Sequence, residues 1–381
     1  MIYFDNSATT KPYKEVLNSF LTVSSEYFGN PSSLHSFGGQ AEKLLSQARE
    51  QSAKLIGVKP NELYFTSGGT ESNNLAIKGA ALGNRNRGRH LITSSVEHPS
   101  VLTAMEQLEQ EGFEITRLPV DKAGRVSVED VKSSIRKDTI LVSIMQVNNE
   151  VGTIQPIKEI GHMLKSHPSV IFHVDAVQGI GKVHLDIYES RIDLLSISAH
   201  KIHGLKGTGA LFIREGVRIA PLFSGGNQER KIRSGTENVA GAVAMAKALR
   251  MTLDKSAEAM KNMVELKNLL RNKLNEIEEI QINTPIENSA QHILNFSLKG
   301  IKSEVFIHAL EQKNIFVSTT SACSSKKKAP SNTLLQMGVP EELAESAIRI
   351  SLSFDNTEEE ARKAILEIEK TVKHLGRVMN K

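Results

Sequence analysis

The chain has 381 residues, 39% of them hydrophobic and 24% charged, with a formal net charge of +4 and a single cysteine. That length suits roughly two domains of about 150 residues each, and the composition is that of an ordinary globular protein. So small a charge gives no electrostatic reason to expect direct nucleic-acid binding. One cysteine excludes an internal disulfide framework and any multi-cysteine metal site. No apolar run approaches the roughly 20 residues of a membrane span, and no basic-then-apolar leader is present, so cytoplasmic residence is the expectation.

In chain order, residues 1–10 start extended and turn polar at Asp5-Asn6. Gly29-Asn30-Pro31-Ser32-Ser33 is a loop by composition, and a helix follows from about Gly38 to Leu55. Apolar, β-rich runs then alternate with helical patterns. The expected strands are Glu62–Thr66, Leu91–Ser95, Glu114–Leu118, Ile140–Gln146, Val170–Val174, Leu194–Ser198 and Ala210–Ile213. Such alternation predicts an α/β fold with an open, mostly parallel sheet covered on both faces. Ligands of such sheets bind beyond the carboxyl ends of the strands. Asp175, His200 and Lys201 all fall at strand ends.

The pattern changes near residue 255. Met260, Met263, Leu266, Leu270, Leu274 and Ile277 mark one face of a long helix. Gln281 to Asn288 reads as a polar break. A strand (Ile293–Leu298), a helix (Ser303–Gln312), a strand (Ile315–Val317), a loop, a strand (Ile348–Phe354) and a final helix follow. Thr357 and Glu360 form a capping-box pattern at that last helix. This is an α+β layout.

Several stretches carry chemistry. Lys201 ends a strand, and a desolvated lysine can become a nucleophile. Asp175 ends a β-branched run, and a carboxylate there needs a cationic partner. Pyridoxal phosphate takes both at once, as a Schiff-base lysine and an acid at the pyridinium nitrogen. Ser67-Gly68-Gly69-Thr70 lies between a strand and a helix, where glycines and free N–H groups can hold a phosphate; an ordinary strand–helix turn is the alternative. Gly181-Lys182 lacks Walker spacing. His200 and His203 have no carboxylate or thiol spacing that would support a metal site. Arg349 lies in an apolar strand, where it serves either an internal salt bridge or a bidentate grip on a carboxylate. Cys323 sits among small polar residues that argue for an exposed loop.

Ser198-Ala199-His200-Lys201, Asp175-Ala176-Val177-Gln178, Asn148-Asn149-Glu150-Val151-Gly152 and Arg233-Ser234-Gly235-Thr236 resemble the signatures of cysteine desulfurases. The resemblance runs over essentially the whole chain, from Tyr3-Phe4-Asp5-Asn6 to Arg349. It implies the type I fold of pyridoxal-phosphate-dependent transferases. A large domain, 15–254, would hold a mixed, mostly parallel sheet of about seven strands. A smaller α+β domain, 1–14 and 255–381, would carry a mobile catalytic cysteine loop at about 318–332.

The resemblance further implies pyridoxal 5'-phosphate as a Schiff base on Lys201, with Asp175 at the ring nitrogen. It places His98 stacked on the ring as a proton shuttle, His200 at the phosphate, and Asn149 and Gln178 near the ring hydroxyl. Gly69, Thr70 and Ser198 complete the cofactor site. Thr236 would reach the phosphate in the partner subunit of a homodimer with shared active sites. Arg349, with Asn149, would bind the substrate carboxylate. Lys201 would remove the α-proton of L-cysteine, and Cys323 would take the sulfur as a persulfide. That sulfur would pass to an acceptor protein, either a tRNA sulfurtransferase or an iron–sulfur scaffold. Lys326, Lys327 and Lys328 depart from the common family pattern and read as thiol-tuning or as a docking surface. A selenocysteine lyase or cysteine-sulfinate lyase would use the same frame.

Overall fold

The computed structural model describes residues 1–319 and 330–379. Cys323 and Lys326–Lys328 therefore lie outside the described residues. The chain opens with β1 (Ile2–Tyr3), α1 (Lys14–Glu26) and α2 (Ser36–Ile56). Gly57 stops α2 in the left-handed region at φ 75°, where a glycine carries no Cβ penalty. Next come β2 (Leu63–Thr66), α3 (Gly69–Gly83), β3 (His90–Ser94), α4 (Pro99–Gln110), β4 (Glu114–Leu118), α5 (Val128–Ser134) and β5 (Thr139–Met145). Then follow α6 (Ile157–Met163), β6 (Ile171–Asp175), β7 (Leu194–Ser198) and β8 (Gly209–Ile213).

These strands form one seven-stranded sheet in the order β2-β8-β7-β6-β5-β3-β4. Only β8 runs against the rest. Each strand starts and stops within one residue of the sequence expectation. Neighbouring residues point to opposite faces of a strand, so Leu91, Leu141, Leu194 and Leu211 pack into one apolar layer with α3 and α4. Ile92, Val142, Leu195 and Phe212 pack into the other, with Val131, Ile157 and Ile160. Two covered faces explain why β3, β5, β6, β7 and β8 are buried throughout. The edge strand β4 instead exposes Glu114 and Arg117, charges that discourage further pairing. Within the sheet His173 spans its neighbours, with Nδ1 2.8 Å from Ser143 Oγ and Nε2 3.0 Å from Ser196 Oγ. Burial pushes this imidazole down to about 3.

Helix α7 (Val239–Asn275) runs 37 residues without a break, straight through the pattern change near residue 255. Its first half is small-residued: Ala242 and Ala246 meet Val23, Ala41 and Leu45, while Ala244 and Ala248 meet Tyr13 and Val16. Its second half presents Met263, Leu266, Leu270 and Leu274 to a separate apolar cluster.

That cluster belongs to a four-stranded antiparallel sheet. The remaining elements are β9 (Ile280–Ile282), β10 (Ile293–Leu298), α8 (Ser303–Glu311), β11 (Ile315–Phe316), β12 (Ser318–Thr319), α9 (Asn332–Gln336), α10 (Glu341–Glu345), β13 (Ala347–Ser351) and α11 (Glu358–Met379). The sheet order is β12-β13-β10-β9. Strand β9 corrects the expected polar break: Ile280 and Ile282 flank Gln281 and pair with β10, which gives an edge strand three residues long. Helices α9 and α10 occupy what read as a loop. The capping box at α11 is present: Thr357 Oγ1 accepts from Glu360 N at 3.2 Å, and Glu360 Oε2 accepts from Thr357 N at 3.1 Å. The chain's start joins this region, because β1 pairs with β11 in parallel.

Candidate active site

Lys201 closes a single 3-10 turn, Ala199–Lys201, at the carboxyl end of β7. Its Nζ donates to the backbone carbonyls of Ser7 and Ala8, the latter at 2.7 Å. The N-terminal stretch is tied to the same turn, since Thr10 N donates to the His200 carbonyl at 2.9 Å. Sequence reasoning did not foresee this contact, which joins residues 194 positions apart.

Asp175 ends β6 and is 5% exposed. Its Oδ2 accepts from Asn73 Nδ2 at 2.7 Å and its Oδ1 from Val177 N at 2.9 Å. Asn73 also donates to Ser100 Oγ at 2.9 Å, and that hydroxyl lies 2.8 Å from His98 Nδ1. The Ser100 amide donates to the same Nδ1 at 3.2 Å, so a neutral His98 carries its proton on Nε2. Burial pushes the His98 imidazole below its ordinary range, the Asp175 carboxylate opposes that, and the Lys201 ammonium reinforces it. In the residue before His98, Glu97 Oε1 accepts from Ser94 Oγ at 2.6 Å and Met145 N at 3.0 Å. Burial pushes this carboxyl up to about 8, with Asp175 adding to the shift. Asn73 and Glu97 were missed in the sequence, where neither stands in a chemically marked motif.

A cavity of about 450 Å³ opens at the N-terminus of α3, lined by Ala8, Thr9, Gly69, Thr70, Ser198 and His200 among others. Gly68 has φ 149°, a backbone that favours glycine, and a Cβ on Gly69 would fall 2.8 Å from Val177 Cγ2. Lys206 also lines the space. Glu71, the one acid in the lining, is held by Arg233 at 2.9 Å. His200 Nδ1 is 3.3 Å from Thr9 Oγ1. Burial, followed by the charge of Lys201, pushes that imidazole down to about 4. Ser198 Oγ is buried with no hydrogen-bond partner among the described residues. Helix N–H groups, a buried hydroxyl and a lysine make an anion site. A larger cavity of about 770 Å³, between the end of α2, residues 180–189 and α7, shares no lining residue with this one. The expected site residues Gly69, Thr70, Ser198 and His200 line the smaller.

Gln178 Nε2 donates to the Ser7 carbonyl at 3.0 Å, and its Oε1 is buried without a partner among the described residues. Asn149 sits in the turn after β5, and its carbonyl accepts from Arg349 Nη1 at 2.9 Å. Arg349, on β13, also pairs with Asp5 Oδ1 at 3.0 Å through Nη2, while its Nε is buried without a partner. Thus the arginine makes the internal salt bridge, with one donor still open. Thr236 is exposed and lies outside the lining of the smaller cavity. The stretch before it keeps Arg230 and Lys231 exposed. Buried Glu229 is gripped by both Nη atoms of Arg49 at 2.7 Å, and Arg230 donates to the Asn61 carbonyl at 2.6 Å.

A family model described as aminotransferase class-V matches residues 2–363. The chain is 49% identical over 380 residues to the NifS/IcsS protein homolog of Lactobacillus delbrueckii subsp. bulgaricus, with 99% of each chain covered. It is 45% identical over 375 residues to the cysteine desulfurase IscS of Methanosarcina thermophila, covering 98% of this chain and 92% of that one. The chain belongs to the cysteine desulfurases of the class-V aminotransferase family. A solved NifS-like protein shares its fold with a TM-score of 0.92 at 40% identity, covering 98% of this chain and 100% of that chain. Cysteine desulfurases of this family depend on pyridoxal phosphate. The residues present fit that cofactor: the open Ser198 hydroxyl and α3 N–H groups suit a phosphate, and buried Asp175 suits a ring cation. Among the described residues, no helix is long and apolar enough to cross a membrane.

Proposed function

We propose that this chain removes sulfur from L-cysteine in the cytoplasm, releases L-alanine, and carries the sulfur as a persulfide on Cys323. One observation carries the reading. The stretch Asp5–Ala8 touches Arg349 at one end and Lys201 at the other. Ala8 N donates back to the Asp5 carbonyl at 3.0 Å, a turn whose ends lie within about 7 Å, so an amino acid with its carboxylate at Arg349 has its α-carbon towards Lys201. Gly69, Thr70, Ser198 and His200 would hold the cofactor phosphate, Asp175 would serve the ring nitrogen, and Asn149 and Gln178 would serve the ring hydroxyl. Bound pyridoxal phosphate supplies a sink for the electron pair left when the α-proton departs.

The chain's own groups do the rest. Lys201 Nζ takes the α-proton. Arg349 fixes the carboxylate, and His98, proton on Nε2, faces the ring. The Cys323 thiolate attacks the substrate sulfur, so an S–S bond forms as the C–S bond breaks. The released pair stays on the substrate β-carbon, which gains a proton to become the methyl of alanine. No external oxidant is required. The sulfur then passes to an acceptor protein, a tRNA sulfurtransferase or an iron–sulfur scaffold, and Lys326–Lys328 supply positive charge for its approach.

A homodimer completes the site. Exposed Thr236, standing outside the cavity lining, supports donation to the partner subunit's phosphate. Exposed Phe28, Leu34 and Phe37 supply apolar surface for the contact. The test is Cys323→Ser. It should keep the yellow absorbance of the bound cofactor and form neither alanine nor sulfide from L-cysteine, while the parent yields a persulfide-bearing peptide. Alanine formation that survives the substitution would make the enzyme a lyase instead.

A further inference from the structure

One turn, Asn148–Gly152, holds two distant parts of the chain. It is fixed internally: Asn148 Oδ1 accepts from Glu150 N at 2.9 Å and Val151 N at 3.0 Å, and Gly152 turns at φ 80°. Asn148 Nδ2 donates to the Val96 carbonyl at 3.0 Å, which ties the turn to the end of β3. On one side the turn meets the small sheet. The Asn149 carbonyl accepts from Arg349, and the Glu150 carbonyl accepts from Asn295 Nδ2 at 3.2 Å. Asn295 and Arg349 are register partners on β10 and β13.

On the other side the Glu150 carboxylate accepts from the Ser331 hydroxyl. Ser331 Oγ in turn accepts from Leu334 N at 3.1 Å, capping α9. The next residue, Asn332, donates to the Ser95 carbonyl at 2.8 Å. The Thr333 hydroxyl also acts on the Glu150 carboxyl group, as does the charge of Arg349. Ser331 lies eight residues after Cys323 in the sequence. The anchor at the carboxyl-terminal side of the cysteine-bearing segment and the arginine thus hang from adjacent residues, Glu150 and Asn149.

We infer that Glu150 is a positioning residue for sulfur transfer: it fixes Ser331, and so the base of the Cys323 segment, relative to Arg349. This rests on the reading of Arg349 and Cys323 given above. A displacement of about 1 Å between reacting groups is enough to slow a reaction on the order of 100-fold, so a lost anchor should appear in the transfer step. Cysteine binding, in which Arg349 is held by hydrogen bonds to Asn149 and Asp5 and meets the Glu150 side chain only through charge, should change little.

The experiment compares Glu150→Ala and Glu150→Gln with the parent holoenzyme. Three quantities are read: the cysteine concentration that half-saturates the change in cofactor absorbance, the single-turnover rate of persulfide formation, and amide exchange across residues 331–336. Glu150→Ala should keep the first within about 3-fold, slow the second by about 10-fold or more, and speed the third. Glu150→Gln should recover most of the rate, because its amide oxygen accepts the same hydrogen bond. An unchanged persulfide rate in Glu150→Ala overturns the inference. So does equal loss of binding and rate, or an amide variant as slow as the alanine one. If Glu150→Ala fails to fold, Ser331→Ala removes the donor and leaves the turn intact, with the same outcomes expected. A parent enzyme that forms no persulfide would defeat the desulfurase reading instead, and the exchange comparison would still judge the Glu150–Ser331 anchor.

Discussion

At the carboxyl ends of the large sheet, polar groups are buried and left open: Ser198 Oγ and Gln178 Oε1 have no hydrogen-bond partner among the described residues. On the small sheet, Arg349 is engaged through both Nη atoms, by Asp5 and the Asn149 carbonyl, and only its Nε is left open. A buried polar atom without a partner costs stability unless something arrives to satisfy it. The open groups at the large sheet suit a group that stays. An arginine with a resident carboxylate can admit a second carboxylate and release it without leaving a bare buried charge between visits. On the proposed reading, the small sheet thus serves a group that comes and goes.

The sharpest way to break that contrast is Arg349→Ala. Removing a charged contact of this kind should cost about 2–5 kcal/mol of cysteine binding. The bound-cofactor absorbance should stay normal, and a titration of that absorbance with cysteine reads both. Loss of the cofactor together with cysteine binding would make the two regions one structural unit, with Arg349 serving mainly as Asp5's partner.

A second measurement probes the floor of the large-sheet region. Folded Glu97, raised to about 8 from an ordinary 4.5, keeps a proton that the unfolded chain loses. Its stabilisation is fully present below about pH 4.5 and is lost as pH rises through 8. The stability advantage of the parent over Glu97→Gln should therefore shrink with rising pH, by up to about 1.4 kcal/mol per unit. Paired denaturant titrations between pH 5 and 8 measure it. The difference between the two proteins is the quantity to follow, because buried His173, held near 3, gives the opposite slope below its ordinary value. A flat difference would mean that the carboxylate stays charged beside His98.

The smallest effect belongs to the small-sheet side. Thr357→Ala removes one half of the capping box on α11 and should cost about 1 kcal/mol. Melting by circular dichroism should register it while cofactor absorbance in the native state does not move. A change in that absorbance would show that the α11 cap reaches the strand ends.

How much of this was legible depended on distance along the chain. Strand ends and their chemical residues, Asp175 and Lys201 above all, follow from local hydrophobic runs closing in polar residues. The partners did not: Asp5 meets Arg349, Ser7 meets Lys201 and Asn73 meets Asp175 only after the fold brings remote segments together. The continuity of α7 was hidden for another reason. Its first half packs through alanines against α1 and α2, which leaves none of the leucine spacing that announced its second half. Strand β9 was hidden by its polar middle residue and by its brevity.

The N-terminal stretch has a consequence for biosynthesis. Asp5 and Arg349 are 344 residues apart, and a ribosome adds about 5–20 residues per second. Roughly 20 to 70 s thus pass between the synthesis of Asp5 and that of the strand that carries its partner. Ala8 and Thr9 line the smaller cavity, so part of its wall is made well before Ser198 and His200, which line it too. A ribosome that stalls before β13 then releases a chain whose large sheet is complete and whose N-terminal stretch has its partners Gln178 and Lys201 but not Arg349.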